Sequence, residues 1–203
     1  MKLYYSPGAC SLSPHIVARE AGLPLELVKV DLRTKKTADG GDYWAVNGKG
    51  SVPMLELDDG TRLTEGPAIV QYLADRAPAK QLAPANGSIE RYKLHEWLNF
   101  ITSEIHKQFS PLFDATSTEE LKTKQRDKIA GRLDWIVPQL GDKPYLTGEN
   151  FTVADAYLFT VLNWARMTGI DLARWPTLQA YQARVAQRPE VKAAMKEEGL
   201  IKG

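Results

Sequence analysis

Strand-like segments are confined to the first part of this chain, and they stop before a proline-rich break in its pattern. Up to Asp75, short strand candidates alternate with helix candidates in the order βα, β, ββα. From Ser88 onward the apolar residues recur at helical spacing, and no strand signal is present. The segment 77–88 separates the two patterns, because its two prolines and its Asn-Gly step are typical of a linker. The pattern therefore predicts two domains, residues 1–80 and residues 87–203.

The predicted fold class is α+β, with a small α/β sandwich followed by an all-α helical bundle. The first domain is predicted to hold a mixed four-stranded sheet in the order βαβ-ββα. Thr152, followed three residues later by Asp155, fits an N-cap box, so we interpret Asp155 as a cap and not as a catalytic residue. The predicted strands cover 2–5, 25–30, 54–57 and 61–63, and the predicted helices cover 14–21, 67–75, 88–113, 118–140 and 152–167.

The charge balance excludes several classes of partner. The 203 residues include 26 Lys and Arg against 25 Asp and Glu, a formal net charge of +1. Neither half has the basic surplus typical of nucleic-acid binding or of binding to an anionic membrane. No window is apolar enough to span a bilayer, and Pro7 comes before any apolar run long enough for a signal peptide. We therefore expect a cytoplasmic protein with neither nucleic-acid nor membrane partners.

Cys10 is the residue whose position most suggests chemistry. It falls between the first strand and the first helix, where unpaired backbone N–H groups and the helix dipole favour an anion. A thiolate there can act as a nucleophile or form a mixed disulfide with a small external thiol. A small buried side chain without chemistry is the open alternative. As the only cysteine, it excludes an internal disulfide, and the three histidines lack metal-ligand spacing, so no metal is expected.

Two other turns could bind a ligand through the backbone. A cis bond before Pro53 would hold the Val52 N–H and C=O outward for pairing with a peptide-like ligand, although a plain turn explains the same residues. Glu65 at a helix N-terminus suits a ligand with an ammonium and a carboxylate, whereas capping by Thr64 is the structural alternative. One cation of a small basic cluster could receive a ligand carboxylate, or the cluster could be a solvated loop: Arg33, Lys35 and Lys36.

The long helix predicted over 88–113 carries an unusual polar stripe. At about 100° per residue, Asn99, Ser103 and His106 fall within about 60° of one another, and His95 joins them. These are short neutral hydrogen-bonding groups, whereas a solvated face normally carries Lys and Glu. The stripe suits the wall of a binding site, and a buried polar seam between helices is the competing interpretation.

Five motifs occur in order along the chain, and together they resemble those of the bacterial beta-class glutathione S-transferases over essentially all 203 residues. The motifs are Tyr4-Tyr5-Ser6-Pro7-Gly8-Ala9-Cys10-Ser11-Leu12, Gly50-Ser51-Val52-Pro53, Leu63-Thr64-Glu65-Gly66-Pro67-Ala68-Ile69, Glu96-Trp97-Leu98-Asn99-Phe100-Ile101 with Ser103-Glu104-Ile105-His106-Lys107, and Phe151-Thr152-Val153-Ala154-Asp155-Ala156-Tyr157-Leu158-Phe159.

The resemblance implies a thioredoxin-like first domain, a helical second domain carrying the hydrophobic co-substrate site, a homodimer, and glutathione as co-substrate without a metal. Cys10 would lie beside the glutathione sulfur and could hold it as a mixed disulfide. The implied glutathione contacts are Cys10, Lys35, Val52, Glu65, Gly66, Asn99, Ser103, Glu104, Ile105 and His106, some of them from the partner subunit. The implied border of the hydrophobic co-substrate site is His106, Lys107 and Trp164. Tyr5 and Ser11 match positions that activate the thiol in other classes, and the implied catalytic residues are Cys10, His106, Tyr5, Ser11 and Lys107.

One residue departs from the wider superfamily: Gly66 stands where many members have a serine, so one hydroxyl contact to the γ-glutamyl carboxylate is missing. Three functions follow as hypotheses. The first is conjugation of glutathione to hydrophobic electrophiles. The second is glutathione-dependent thiol–disulfide exchange or reductive dehalogenation through Cys10. The third is a non-catalytic carrier of hydrophobic ligands.

Overall fold

A computed structural model describes residues 1–202, which form two compact units. One unit comprises residues 1–83 together with 187–202, and the other comprises residues 84–186. The first contains β1 (Lys2–Tyr5), α1 (Leu12–Ala21), β2 (Glu26–Asp31), β3 (Lys36–Thr37), α2 (Tyr43–Val46), β4 (Met54–Glu56), β5 (Arg62–Thr64), α3 (Gly66–Asp75) and a 3-10 turn at Pro78–Lys80. The second contains α4 (Ile89–Phe100), a π-helical segment (Ile101–His106), α5 (Lys107–Phe113), α6 (Glu119–Leu140), α7 (Val153–Leu162), 3-10 turns at Arg166–Thr168 and Leu172–Arg174, and α8 (Pro176–Ala186). The last helix, α9 (Pro189–Glu197), belongs to the first unit.

The sheet of the first unit confirms the thioredoxin-like prediction. Its order is β3-β2-β1-β4-β5, with β1 and β2 parallel and the other pairs antiparallel. The four predicted strands are present, and β3 adds a fifth at the edge. Because β3 has two residues, one of them an exposed lysine, it is too short to give the alternation that predicts a strand. The buried side chains Leu3 and Leu55 face each other between β1 and β4 in the core of this unit.

The last helix packs with the first unit, whereas the sequence pattern places residues 87–203 in one helical domain. Arg188 pairs with Glu20 of α1 through two hydrogen bonds, of 2.6 and 2.8 Å. The buried His15 ring lies between the carboxylates of Glu197 and Glu198, at 2.8 and 3.0 Å. These partners are far apart in the sequence, so helical periodicity alone contains no information about which core α9 joins.

The second unit is all-α, as the sequence predicts. The helix predicted over 88–113 is continuous, but its residues Ile101–His106 are π-helical. The side chains of α7 are buried throughout, and the predicted N-cap box of Thr152 and Asp155 is formed. Burial raises the pKa of the Asp155 carboxyl, which accepts hydrogen bonds from Leu146 N–H and from the Tyr181 hydroxyl. In residues 1–202, no helix combines the length and apolar character needed to cross a bilayer.

Candidate functional site

Cys10 lies in the turn between β1 and α1, two residues before the helix begins. Its thiol is partly exposed and donates to the Val52 carbonyl at 3.2 Å. The N–H groups of Leu12 and Ser13, which the sequence suggests are free to stabilise a thiolate, already donate to the carbonyls of Ala9 and Cys10. The structure therefore brings the predicted nucleophile Cys10 to the predicted peptide-binding segment at Val52, and fewer backbone N–H groups near Cys10 are free than expected.

Ser11 and Tyr5, the two predicted thiol activators, have structural partners instead. The Ser11 side chain is fully buried, and its hydroxyl donates to the Ser6 carbonyl at 3.2 Å and accepts from the Ser6 N–H at 3.1 Å. The Tyr5 ring is tilted against the His15 ring. Burial, followed by the charges of Glu198 and Glu197, raises the pKa of Tyr5, so its phenol stays protonated at neutral pH. These contacts favour roles in shaping the Cys10 turn.

The segment before Pro53 presents backbone groups. The Val52–Pro53 bond is cis, and among the described residues the Val52 N–H has no hydrogen-bond partner. Lys35, with a left-handed φ of 55°, donates from Nζ to the Gly50 carbonyl at 2.7 Å. Gly50 has φ +58°, and a Cβ there would lie 2.5 Å from the Trp44 ring, so only glycine fits. An extended peptide could pair with the Val52 backbone in this segment before β4.

The turn before α3 holds a charged pair. Glu65 is the N-cap residue of α3 and has a left-handed φ of 70°, a conformation that clusters at ligand clamps. The alternative of capping by Thr64 is wrong, because Thr64 belongs to β5 and its hydroxyl accepts from Lys49 Nζ at 2.9 Å. The same ammonium, Lys49 Nζ, also forms an ion pair with the Glu65 carboxylate at 2.6 Å, and this is the charged pair of the turn. The resemblance assigns the Glu65 carboxylate to the ammonium group of the ligand. In the structure this carboxylate already contacts an ammonium group, that of Lys49. Pro67 carries no N–H, so the first free donor of α3 is the N–H of Gly66, which has no partner within residues 1–202.

In the second unit, the residues of the predicted polar stripe on the long helix do not share one face. Asn99 and Ser103 are exposed, and their side chains donate to the carbonyls of His95 and Asn99, one turn earlier in the same helix. Glu104 pairs with Arg132 of α6 at 2.6 Å. The Ile105 side chain is fully buried, so only its backbone could contact a ligand.

His106 turns away from this exposed face. Its ring packs edge-on against Trp164, with ring centroids 4.9 Å apart, and Nδ1 lies 2.6 Å from the Tyr157 hydroxyl. The predicted stripe assumes 3.6 residues per turn, whereas a π-helical segment winds more slowly and shifts every later side chain around the axis. Such segments occur frequently at functional sites.

An aromatic cluster surrounds the His106 ring. Trp164 also packs edge-on against Phe109 and the half-exposed Phe113. Burial first, and the charge of Lys107 second, lower the pKa of His106 to about 4. His106 is therefore neutral at pH 7 and sits at an apolar surface, where a hydrophobic molecule could bind.

Several residues around these sites went unrecognised in the sequence. Phe109 and Phe113 follow His106 at helical spacing, and this spacing could have predicted their contact with Trp164. Lys49 and Tyr157 gave no usable signal, since their partners come from other elements. Across residues 1–202, no group of three or more His, Cys, Asp and Glu side chains is placed to hold a metal ion.

Similarity to known proteins covers both units. Residues 8–76 match the profile of the glutathione S-transferase N-terminal domain, and residues 100–189 match that of the C-terminal domain. The chain is 50% identical over 200 residues to glutathione S-transferase GstA of Escherichia coli O157:H7, covering 98% of this chain and 100% of that protein.

Solved structures agree with this similarity. A ternary complex of BphK, a bacterial GST, is 61% identical with a TM-score of 0.96, covering 98% of this chain and 100% of that one. A sphingomonad glutathione S-transferase complexed with glutathione is 48% identical with a TM-score of 0.95, covering 99% and 100%. A bacterial beta-class enzyme of Sphingomonas chungbukensis is 49% identical with a TM-score of 0.96, again covering 99% and 100%. The chain thus belongs to the glutathione S-transferase family, among its bacterial beta-class members.

Proposed function

We propose that this protein conjugates glutathione to hydrophobic electrophiles, acting as a cytoplasmic homodimer. The observation that carries the proposal is the set of groups in residues 1–83. This part of the chain offers a partly exposed thiol, unpaired backbone N–H groups, a carboxylate and an ammonium, which complement the thiol, peptide bonds, ammonium and carboxylates of glutathione.

Each of these groups takes one part of glutathione in the proposed complex. The Val52 backbone pairs with the cysteinyl residue, and Cys10 lies beside its sulfur. Glu65 and the Gly66 N–H bind the γ-glutamyl ammonium and carboxylate, and Lys35 binds the glycine carboxylate. Support comes from the unpaired Val52 and Gly66 N–H groups and from the Lys49 ammonium that already pairs with Glu65.

The second unit supplies the remaining roles. We assign glutathione contacts to the exposed residues Asn99 and Ser103, to the half-buried Glu104 and to the backbone of Ile105. The hydrophobic electrophile contacts His106, Lys107 and Trp164. This assignment is supported by the aromatic surface around Trp164, which matches the chemistry of an apolar co-substrate.

Conjugation is a nucleophilic displacement or addition. The glutathione thiolate forms a carbon–sulfur bond with the electrophilic carbon, and the electron pair of the broken bond leaves with a group such as a halide. The protein lowers the barrier by fixing sulfur and carbon within reach and by stabilising the thiolate with nearby donors. No covalent bond to the protein is needed in this reaction.

The partly exposed Cys10 thiol also favours a second function, thiol–disulfide exchange. Its thiolate attacks the glutathione sulfur of a mixed disulfide between glutathione and another small thiol, forms a Cys10–glutathione disulfide and releases that other thiol as its thiolate. A glutathione thiolate then attacks the glutathione sulfur of this Cys10–glutathione disulfide and releases Cys10 with oxidised glutathione. In reductive dehalogenation, two glutathione thiols supply the two electrons that replace a carbon–halogen bond by a carbon–hydrogen bond, so that they leave as oxidised glutathione while the halogen leaves as halide with a proton.

Intact mass measured before and after adding a reductant tests the Cys10 assignment. We expect a reducible adduct of glutathione mass that is absent from Cys10→Ala and from the conservative Cys10→Ser. Conjugation of a broad electrophile is then assayed in all three proteins. Surviving conjugation in both variants with lost disulfide reduction separates the two activities. A protein that does not bind immobilised glutathione contradicts the proposal, and hydrophobic ligand binding without turnover under any thiol condition identifies the carrier instead.

A further inference from the structure

Two buried donors converge on the backbone carbonyl of Ser51. The Tyr43 hydroxyl donates to this oxygen at 2.9 Å, and Asn47 Nδ2 donates to it at 2.8 Å. Tyr43 is fully buried and Asn47 is 6% exposed, whereas Ser51 is an exposed residue. The Ser51 carbonyl therefore points into the first unit, although the residue itself lies at the surface.

We infer that Tyr43 and Asn47 are positioning residues for glutathione: they hold the Ser51 carbonyl inward and so direct the Val52 N–H outward to the ligand. The inference rests on the proposed function, in which the Val52 backbone pairs with the cysteinyl residue of glutathione. Neither Tyr43 nor Asn47 has to touch glutathione to act in this way.

The carbonyl and the N–H lie in one peptide plane. The Ser51 C=O and the Val52 N–H belong to the same peptide unit, and the bond between these two residues is trans. In a planar trans peptide the carbonyl and the N–H point in opposite directions. Two donors that fix the carbonyl on the inner side of the plane therefore fix the N–H on the other side.

The direction of both hydrogen bonds follows from their shared acceptor. A backbone carbonyl can only accept, so the Tyr43 hydroxyl and the Asn47 amide are the donors. Burial raises the pKa of Tyr43, so its phenol keeps the proton at neutral pH. A second contact orients the Asn47 amide, because its Oδ1 accepts from the Lys49 N–H at 3.1 Å.

The Val52 N–H is the group that this arrangement leaves for a ligand. Val52 is 7% exposed, yet its N–H has no hydrogen-bond partner among residues 1–202. Unpaired backbone donors are costly in a folded protein, and nearly all of them find a partner. A carbonyl oxygen of an extended peptide would be such a partner. Because the plane is held before the ligand arrives, less binding free energy is lost in ordering this segment.

Two substitutions remove one donor each and keep the shape of the side chain. Tyr43→Phe should raise the dissociation constant of glutathione, measured by calorimetry, about two- to tenfold, the worth of one hydrogen bond. Asn47→Asp keeps the acceptor for Lys49 but should raise the constant further, since its carboxylate repels the Ser51 carbonyl. The double variant should exceed either single variant. Tyr4→Phe is the control, because the Tyr4 ring packs 5.7 Å from that of Tyr43 and its hydroxyl forms no hydrogen bond with Ser51.

NMR of the Val52 amide tests the orientation of the peptide itself. In the unliganded protein its nitrogen-15 shift responds to hydrogen bonds at the Ser51 carbonyl, so it should move in Tyr43→Phe and in Asn47→Asp but not in Tyr4→Phe. Glutathione should slow the hydrogen exchange of this amide in the wild type and in Tyr4→Phe. The slowing should be weaker in the other two variants.

An unchanged dissociation constant in folded Tyr43→Phe would overturn the inference, even if the free energy of unfolding falls, because both residues would then be purely structural. An equal loss of affinity in Tyr4→Phe would overturn it as well. If Asn47→Asp does not fold, Tyr43→Phe, which lacks a single oxygen atom, still decides. A wild type that does not bind glutathione refutes the proposed function, whereas the unliganded Val52 shifts show independently whether the two donors hold the peptide.

Discussion

The two groups of predicted site residues use the backbone to different degrees. In residues 1–83 the N–H groups of Val52 and Gly66 are binding groups, beside the side chains of Cys10, Lys35 and Glu65. In residues 84–186 the binding groups are side chains apart from the backbone of Ile105, and His106 lies among Tyr157 and Trp164. Backbone groups are the same whatever side chains evolve, so they suit an unchanging ligand such as glutathione. Side chains can be exchanged one at a time, which suits a variable electrophile.

The two regions also differ in how they treat charge. The Lys49–Glu65 pair is more than half exposed, so water and salt screen it. The His106 ring is largely withdrawn from water and is neutral at pH 7. Substitutions around His106 in residues 84–186, the side-chain region, should therefore lower the free energy of unfolding more than substitutions around Val52 and Glu65 in residues 1–83, the backbone region.

Trp164→Ala tests the side-chain region most severely. Removing a buried indole should lower the free energy of unfolding by about 3–5 kcal/mol, measured by urea denaturation. Trp175→Ala is the matched control, because Trp164 and Trp175 are both 6% exposed in the same unit. Both should lose stability, but only Trp164→Ala, or the milder Trp164→Phe, should change the preference among electrophiles. Equal preferences in the wild type and Trp164→Phe would contradict the assignment.

The low pKa of His106 predicts acid sensitivity. The unfolded ring binds a proton near pH 6.5, whereas the folded ring does so only at about pH 4. Its contribution to stability is complete above pH 6.5 and is lost as the pH falls through 4, by up to about 3 kcal/mol. The measurement is the free energy of unfolding from pH 7.5 to 4. His106→Asn should show a shallower acid loss, and parallel curves for the two proteins would refute the prediction.

Gly50→Ala tests the backbone region. The added Cβ would lie 2.5 Å from the Trp44 ring at a left-handed φ of +58°. We expect the KM for glutathione to rise about tenfold, equivalent to about 1.4 kcal/mol, because the segment leading to Val52 must shift. Gly60→Ala is the control, since Gly60 has φ +82° and nothing within 4 Å. An equal rise in both variants would mean that the conformation of the glycine, and not its packing, matters.

Gly66→Ser should have the smallest effect and sharpen the same comparison. A Cβ at Gly66 meets no atom within 4 Å, so the serine found in many superfamily members fits without rearrangement. Its hydroxyl should lower the KM for glutathione about two- to fivefold, the worth of a modest hydrogen bond. Gly66→Ala separates the hydroxyl from the methylene. If alanine lowers the KM equally, the gain does not come from a hydroxyl contact to the γ-glutamyl carboxylate.

Local sequence patterns predicted most of the helices and strands, but they predicted fewer of the contacts that side chains make. The N-cap box at Thr152 was predictable because both of its residues lie within one helical turn. The separation of His106 from Asn99 was not, because helical periodicity assumes a regular helix and the π-helical segment changes the angle. Ser11 was predicted as an activator, yet its burial against Ser6 depends on how the whole turn packs.

The sequence by itself determined the two patterns of secondary structure, the place of Cys10 before a helix, and the family to which the chain belongs. These depend on spacing and turn chemistry within a few residues, where the chain has few alternatives. Only the tertiary structure decided that Lys49 pairs with Glu65, that Tyr157 faces His106 and that α9 joins the first unit. Such contacts join residues distant in the chain, and they form because packing buries apolar surface and leaves each polar group one suitable partner.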